Sequence, residues 1–176
     1  MIGRNLVKRI AGTLATDEGL IEKDWHVVRA IGVLVTLDHA GATPVFSGGT
    51  SLLKGWDLIK RFSEDIDFKV TMPPSATKSE GRRARKTYHR RVLPALTSNG
   101  FDLAGDPLVG NKSQFFAADF AYPSEFTARP GLRPHIRVEM SFYETALKSI
   151  ARPIQSLPAT AQRQTPEVTS FLCGPY

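Results

Sequence analysis

One cysteine, Cys173, stands in the whole chain. A lone thiol cannot close an internal disulfide, which excludes a disulfide scaffold and makes a reducing, cytoplasmic compartment the expected one. Long apolar runs are missing too. The longest candidate, residues 30–37, contains Gly32 and Thr36 and falls well short of the roughly 20 residues a membrane helix needs. Arg4, Lys8 and Arg9 lie near the N-terminus without a continuous apolar stretch beside them, so neither a secretory signal nor a membrane partner is expected. No internal repeat is visible, which argues against a solenoid. Acids are scarce relative to bases: 17 Asp and Glu face 23 Lys and Arg, for a net charge of +6. That balance favours an anionic partner such as RNA, DNA or a nucleotide. The hydrophobic content of 41% over 176 residues is enough for the core of one ordinary domain, with or without an appendage.

What is present centres on residues 45–70, VFSGGTSLLKGWDLIKRFSEDIDFKV. An apolar pair leads into Ser47, Gly48, Gly49 and Thr50, and a helix follows with Thr50 or Ser51 as its expected N-cap. Glycines at a turn let the backbone approach a ligand closely, and the free N–H groups at a helix start favour phosphate. The hydroxyls of Ser47 and Thr50 add donors. Leu52, Leu53, Trp56 and Ile59 are the expected buried stripe of that helix, with Lys54 off it. The stretch closes on Asp65-Ile66-Asp67-Phe68. Side chains in a strand alternate faces, so Asp65 and Asp67 share one face while Ile66 and Phe68 turn to the core. Two carboxylates so placed repel unless a cation lies between them, and hard oxygen ligands suit Mg²⁺ (or Mn²⁺). Arg61, just before this strand, carries a planar donor fork matched to phosphate; its alternative role is a surface pair with Glu64. Glu64 falls on the opposite strand face from Asp65 and is not an expected ligand.

The rest of the chain frames this unit. Ile2, Leu6, Ile10 and Leu14 recur every four residues and predict a helix over 2–15, and a longer helix is expected over 21–40. Glu22 and Asp24 in its first turns suit the helix dipole. A loop over 71–79 leads to the most basic segment, with Arg82, Arg83, Arg85, Lys86 and Arg90 around the apolar positions Ala84, Tyr88 and Val92. A helix with so many cations is suited to a polynucleotide backbone, or alternatively to an acidic protein. Strands are expected over 101–103, 113–120 and 136–142, where Glu139 shares a face with Arg137 and Ser141. Asp119 is expected to be a polar strand-end residue. Residues 150–158 suggest one more strand, and 159–176 show little periodicity.

The string FSGGTSLLKG followed by RFSEDIDF resembles the polymerase-β-like nucleotidyltransferases, and within them the AbiEii/MenT toxins of bacterial toxin–antitoxin systems. Glu22-Lys23-Asp24-Trp25 and IRVEMSF at 136–142 also resemble that branch. The resemblance implies an α/β (α+β) fold: a mixed sheet of about five strands with helices on one face. It implies Mg²⁺ (or Mn²⁺) on Asp65 and Asp67, with Glu139 as third metal carboxylate. Ser47, Gly48, Gly49 and Thr50 would hold the phosphates, with Arg61 or Lys54 beside the leaving pyrophosphate and Lys23 near the nucleotide pocket. The implied reaction is NMP transfer from an NTP to RNA, such as a tRNA 3′ end, under control of an antitoxin. Arg82, Arg83, Arg85 and Arg90 are the candidate RNA contacts. Residues 1–158 are expected to form the nucleotidyltransferase domain, and 159–176 a tail or the start of a helical domain. The alternative is a nucleotide- or RNA-binding module without catalysis.

Overall fold

The computed structural model describes residues 1–59, 62–127, 129–145, 148–164 and 167–174. Five helices and eight strands follow one another as α1 (Arg4–Leu14), α2 (Glu18–Val35), β1 (Thr43–Ser47), α3 (Gly48–Lys54), β2 (Asp65–Thr71), α4 (Lys78–Thr97), β3 (Asp102–Leu103), β4 (Leu108–Gly110), β5 (Phe115–Ala121), β6 (His135–Ser141), β7 (Ile150–Ile154), α5 (Leu157–Ala161) and β8 (Val168–Cys173). One mixed sheet runs in the order β3-β5-β6-β2-β1-β8-β7, with β4 paired to β5. The α/β expectation with a mixed sheet therefore holds, but the sheet has eight strands rather than about five. Strands β4 and β8 account for most of the difference.

Strands β2 and β6 form the middle of this sheet and pair in parallel, with Asp65 opposite Arg137 and Asp67 opposite Glu139. Each alternates half-buried and buried residues along its length. Ile66, Phe68, Val70, Ile136, Val138 and Met140 turn to one side, where they pack with Val28, Ile31 and Leu34 of α2 and Tyr88, Val92 and Leu96 of α4. Each such aliphatic or aromatic side chain contributes about 1.5–3 kcal/mol when fully buried. The polar residues of the same strands are left on the other side. Helix α4 starts with a capping box, in which Glu80 N–H donates to the Thr77 hydroxyl at 3.1 Å and Thr77 N–H to the Glu80 carboxylate at 2.9 Å.

Two sequence expectations are corrected. The α3 helix is one short turn pair capped by Ser47 rather than by Thr50 or Ser51, and its buried residues are Thr50 and Ser51. The expected tail beyond residue 158 contributes β8, which lies between β1 and β7 and pairs in parallel with β1. Its weak periodicity reflects burial: Val168, Phe171 and Cys173 all lie in the main core. Among the described residues no helix is long and apolar enough to cross a membrane.

Two histidines are built into the core uncharged. His26 of α2 is fully buried between the Tyr122 and Trp25 rings, 4.4 and 4.8 Å away between centroids. His89 of α4 stacks on Phe116 at 4.9 Å. Burial foremost, then Arg29 for His26 and Arg85 for His89, pushes each down to about 4. Their unfolded value is near 6.5, so the unfolded chain binds more protons and stability falls as pH drops from about 6.5 towards 4. Asp67, pushed up to about 6, works in the opposite sense and offsets part of the loss. A net loss of about 2 kcal/mol is expected between pH 7 and pH 5. Urea melts across that range check it, and His26→Phe flattens the slope if the assignment is right.

Candidate active site

The central strands set a charged checkerboard on the sheet face away from α2 and α4. Across one row, Ala117, Glu139, Asp67 and Ser47 are register partners on four adjacent strands. In the next row, Asp119, Arg137 and Asp65 are partners on three. Asp65, Asp67 and Glu139 are thus neighbours, as expected, because parallel pairing carries one strand's alternation onto the next.

Gly48 abuts this row. Its φ is +70°, and a Cβ placed on it would stand 2.0 Å from Asp67 Oδ2. Only a glycine tolerates both the left-handed backbone and that approach. The Ser47 hydroxyl donates to the Asp67 backbone carbonyl at 3.3 Å, and the Thr50 hydroxyl donates to that of Asp65. These hydroxyls brace the turn against β2. Ser47, Gly48, Gly49 and Thr50 thus stand together at the turn beside the acids of β2.

Charge on this face is compensated by arginines. Arg133, in the turn before β6, forks onto Asp65 with contacts of 3.0 and 3.2 Å. Arg137 donates to Glu139 at 2.6 Å and stands 3.5 Å from Asp119. The Glu139 bond foremost, then the Asp119 charge, raises Arg137 further despite its partial burial. Among the described residues Asp67 has no such partner. Burial, then Glu139 and then Asp65, pushes its carboxyl up to about 6. Among the described residues no three His, Cys, Asp or Glu side chains stand together as one metal-binding group. In kind the donors still fit a hard divalent cation: carboxylate oxygens only, one of them under like-charge repulsion that a cation would relieve.

Lys54, an expected phosphate contact, has other partners in this structure. Its ammonium lies 2.6 Å from Asp24 Oδ1 and donates to the Gln155 carbonyl at 3.1 Å, and its side chain is nearly buried. None of these partners belongs to the acid face. Arg61 lies outside the described residues. Arg82, Arg83 and Arg90 are exposed on α4, whereas Arg85 is half-buried and donates to the Lys112 carbonyl at 3.3 Å. A crevice lined by Lys78, Arg82, Arg85 and Lys112 runs beside them.

The segment Glu22-Lys23-Asp24 is more than a helix-dipole feature. All three side chains are buried, at 1%, 0% and 1% exposure. Glu22 accepts from the Ser124 hydroxyl at 2.5 Å and from Glu125 N–H at 2.9 Å. Lys23 pairs with Glu64 and donates to the Arg133 carbonyl at 2.8 Å. Asp24 pairs with Lys54 and accepts from Leu157 N–H at 2.6 Å. Three successive residues thus fasten separate segments of the chain to α2. Burial drives Lys23 down, with the bond to Glu64 opposing it. Burial alone would raise Glu64, but Lys23 and the Arg133 N–H hold it below its ordinary value. Spacing could not reveal these pairs, since Lys23 and Glu64 are 41 residues apart.

No curated protein matches the chain. A family model described as "Nucleotidyl transferase AbiEii toxin, Type IV TA system" matches residues 33–171. The match takes in the Gly48 turn, both acids of β2, Glu139 and the first four residues of β8, and it covers most of the chain. The mixed sheet with its acid-bearing central strands is consistent with a nucleotidyltransferase-type fold, and the chain belongs to the AbiEii family of nucleotidyl transferase toxins.

Proposed function

We propose that this protein transfers a nucleoside monophosphate from an NTP to an RNA acceptor such as the 3′ end of tRNA, using Mg²⁺ (or Mn²⁺), and that an antitoxin protein restrains it in the bacterial cytoplasm. The observation carrying the reading is the side-by-side register of Asp65, Asp67 and Glu139, with the Gly48 backbone against Asp67. Asp65 and Asp67 would hold the cation, with Glu139 on the side of the attacking hydroxyl. When bound, such a cation neutralises the triphosphate and acidifies the attacking oxygen. Asp67 must give up its proton to act as a ligand, so cation affinity falls as pH drops through about 6. Backbone N–H groups of Gly48, Gly49 and Thr50, beside the Ser47 hydroxyl, are the proposed phosphate contacts. Arg61 remains a proposed contact to the leaving pyrophosphate.

Helix α4 packs on the sheet face opposite the acids. RNA lying along Arg82, Arg83, Arg85 and Arg90 must therefore pass round a sheet edge to bring its end to Asp67. Such a contact would anchor the body of the acceptor rather than the reacting nucleotide, and would weaken with salt.

A second reading, a binding module without catalysis, is favoured by one observation: Arg133 and Arg137 already hold two of the three acids. The deciding experiment incubates the protein with total tRNA, Mg²⁺ and each α-labelled NTP in turn. Label entering tRNA, and lost in Asp65→Asn/Asp67→Asn, supports the enzyme. Mg²⁺-dependent NTP binding without label supports the module. Absence of both sinks the two readings together.

A further inference from the structure

Arg133 is rooted and free at once. Its N–H donates to Glu64 Oε2 at 2.9 Å, and its carbonyl accepts from Lys23 Nζ at 2.8 Å. Lys23 is fully buried and joined to Glu64 itself, so the main chain of Arg133 is fastened on both sides by one ion pair. The side chain beyond that root is 44% exposed, and its guanidinium touches Asp65, whose side chain is 32% exposed. Arg137 differs: its guanidinium lies between Asp119 and Glu139 on the strand face. Among the described residues, Arg133 is the cation that a divalent ion must displace to reach both oxygens of Asp65.

A guanidinium fork fits carboxylate and phosphate with the same geometry. We propose that Arg133 is a triphosphate-binding residue that holds Asp65 in the free protein and passes to the phosphates when a divalent cation takes that carboxylate. The exchange rests on the reading of Asp65 and Asp67 as the cation-holding pair, and it adds a consequence. Cation alone is opposed by the Arg133–Asp65 pair. Cation and triphosphate together are favoured, because the displaced guanidinium gains a new anionic partner. Each ligand therefore raises the affinity of the other, as linkage requires. The fixed root matters because it keeps the swinging head within reach of both positions.

The test titrates Mn²⁺ into parent protein, Arg133→Gln and Arg133→Lys, with and without inorganic tripolyphosphate as a base-independent probe. Binding is read by calorimetry, and folding by circular dichroism. In Arg133→Gln, Mn²⁺ alone is expected to bind about tenfold tighter, while tripolyphosphate at saturating Mn²⁺ binds about tenfold weaker. Arg133→Lys keeps the charge without the fork and should fall between. Should Arg133→Gln bind Mn²⁺ no tighter than the parent, while Asp67→Asn abolishes that binding, Arg133 is a mere buttress and the proposal fails. Unchanged tripolyphosphate affinity also overturns it. Mn²⁺ binding that is absent from the parent, or indifferent to Asp67→Asn, removes the cation reading and this inference with it.

Discussion

Gly48→Ala is expected to disable the site and destabilise the fold together. At φ +70° an alanine sits in the left-handed region, at a cost of about 1–2 kcal/mol. Its methyl would stand 2.0 Å from one carboxylate oxygen of Asp67, 2.7 Å from the carboxyl carbon and 2.9 Å from Cβ. A single rotamer change relieves the first contact but not the last, so β2 or the turn must shift. A displacement near 1 Å at a reacting centre costs about 100-fold in rate. Mn²⁺ affinity, measured by calorimetry, should fall in parallel, and the melting temperature should drop. Gly12→Ala in α1 is the matched control: nothing lies within 4 Å of its Cβ position, so it should leave the site intact and gain up to about 1 kcal/mol of helix stability. If Gly48→Ala binds Mn²⁺ like the parent, the close approach to Asp67 has no part in the site.

Lys23→Met should produce the largest loss of stability outside the hydrophobic core. Removing one partner of a buried ion pair leaves the other uncompensated and costs about 3–5 kcal/mol. Glu64 keeps 19% exposure and the Arg133 N–H, which places the expected loss near the lower end, about 3 kcal/mol. The Arg133 carbonyl also loses its donor. Adding Glu64→Gln should restore part of the loss, because the stranded charge is then gone. Urea unfolding of the two single variants and the double variant measures the coupling. Additive losses would mean that the two side chains act independently, against the buried pair.

The Asp-x-Asp strand was legible because strand alternation is a local property. Asp65 and Asp67 had to share a face once Ile66 and Phe68 sought the core, and burial along β2 follows that rule. The acid of β6 was legible for the same reason, and the family resemblance supplied the role proposed for it. The basic helix showed its cations as plainly, yet His89, set among them in sequence, is buried on Phe116. Helix α2 was harder. It packs against α1, α4, α5 and β8, so polar side chains on several of its faces are buried as well.

By itself, then, the sequence determined the alternating strands, the glycine turn and the family. These are set by neighbours a few residues apart, whose geometry is fixed by backbone period and by the missing Cβ. Only the tertiary structure decided who neutralises whom. Arg133 on Asp65, Lys23 on Glu64 and Lys54 on Asp24 are partners brought together by sheet order and loop closure. It also decided that residues 168–173 form an inner strand of the sheet, since β8 is placed by its pairing with β1 and β7 and not by its own composition. Long-range charge pairing leaves no period in a sequence, because one carboxylate serves any cation that the fold delivers to it.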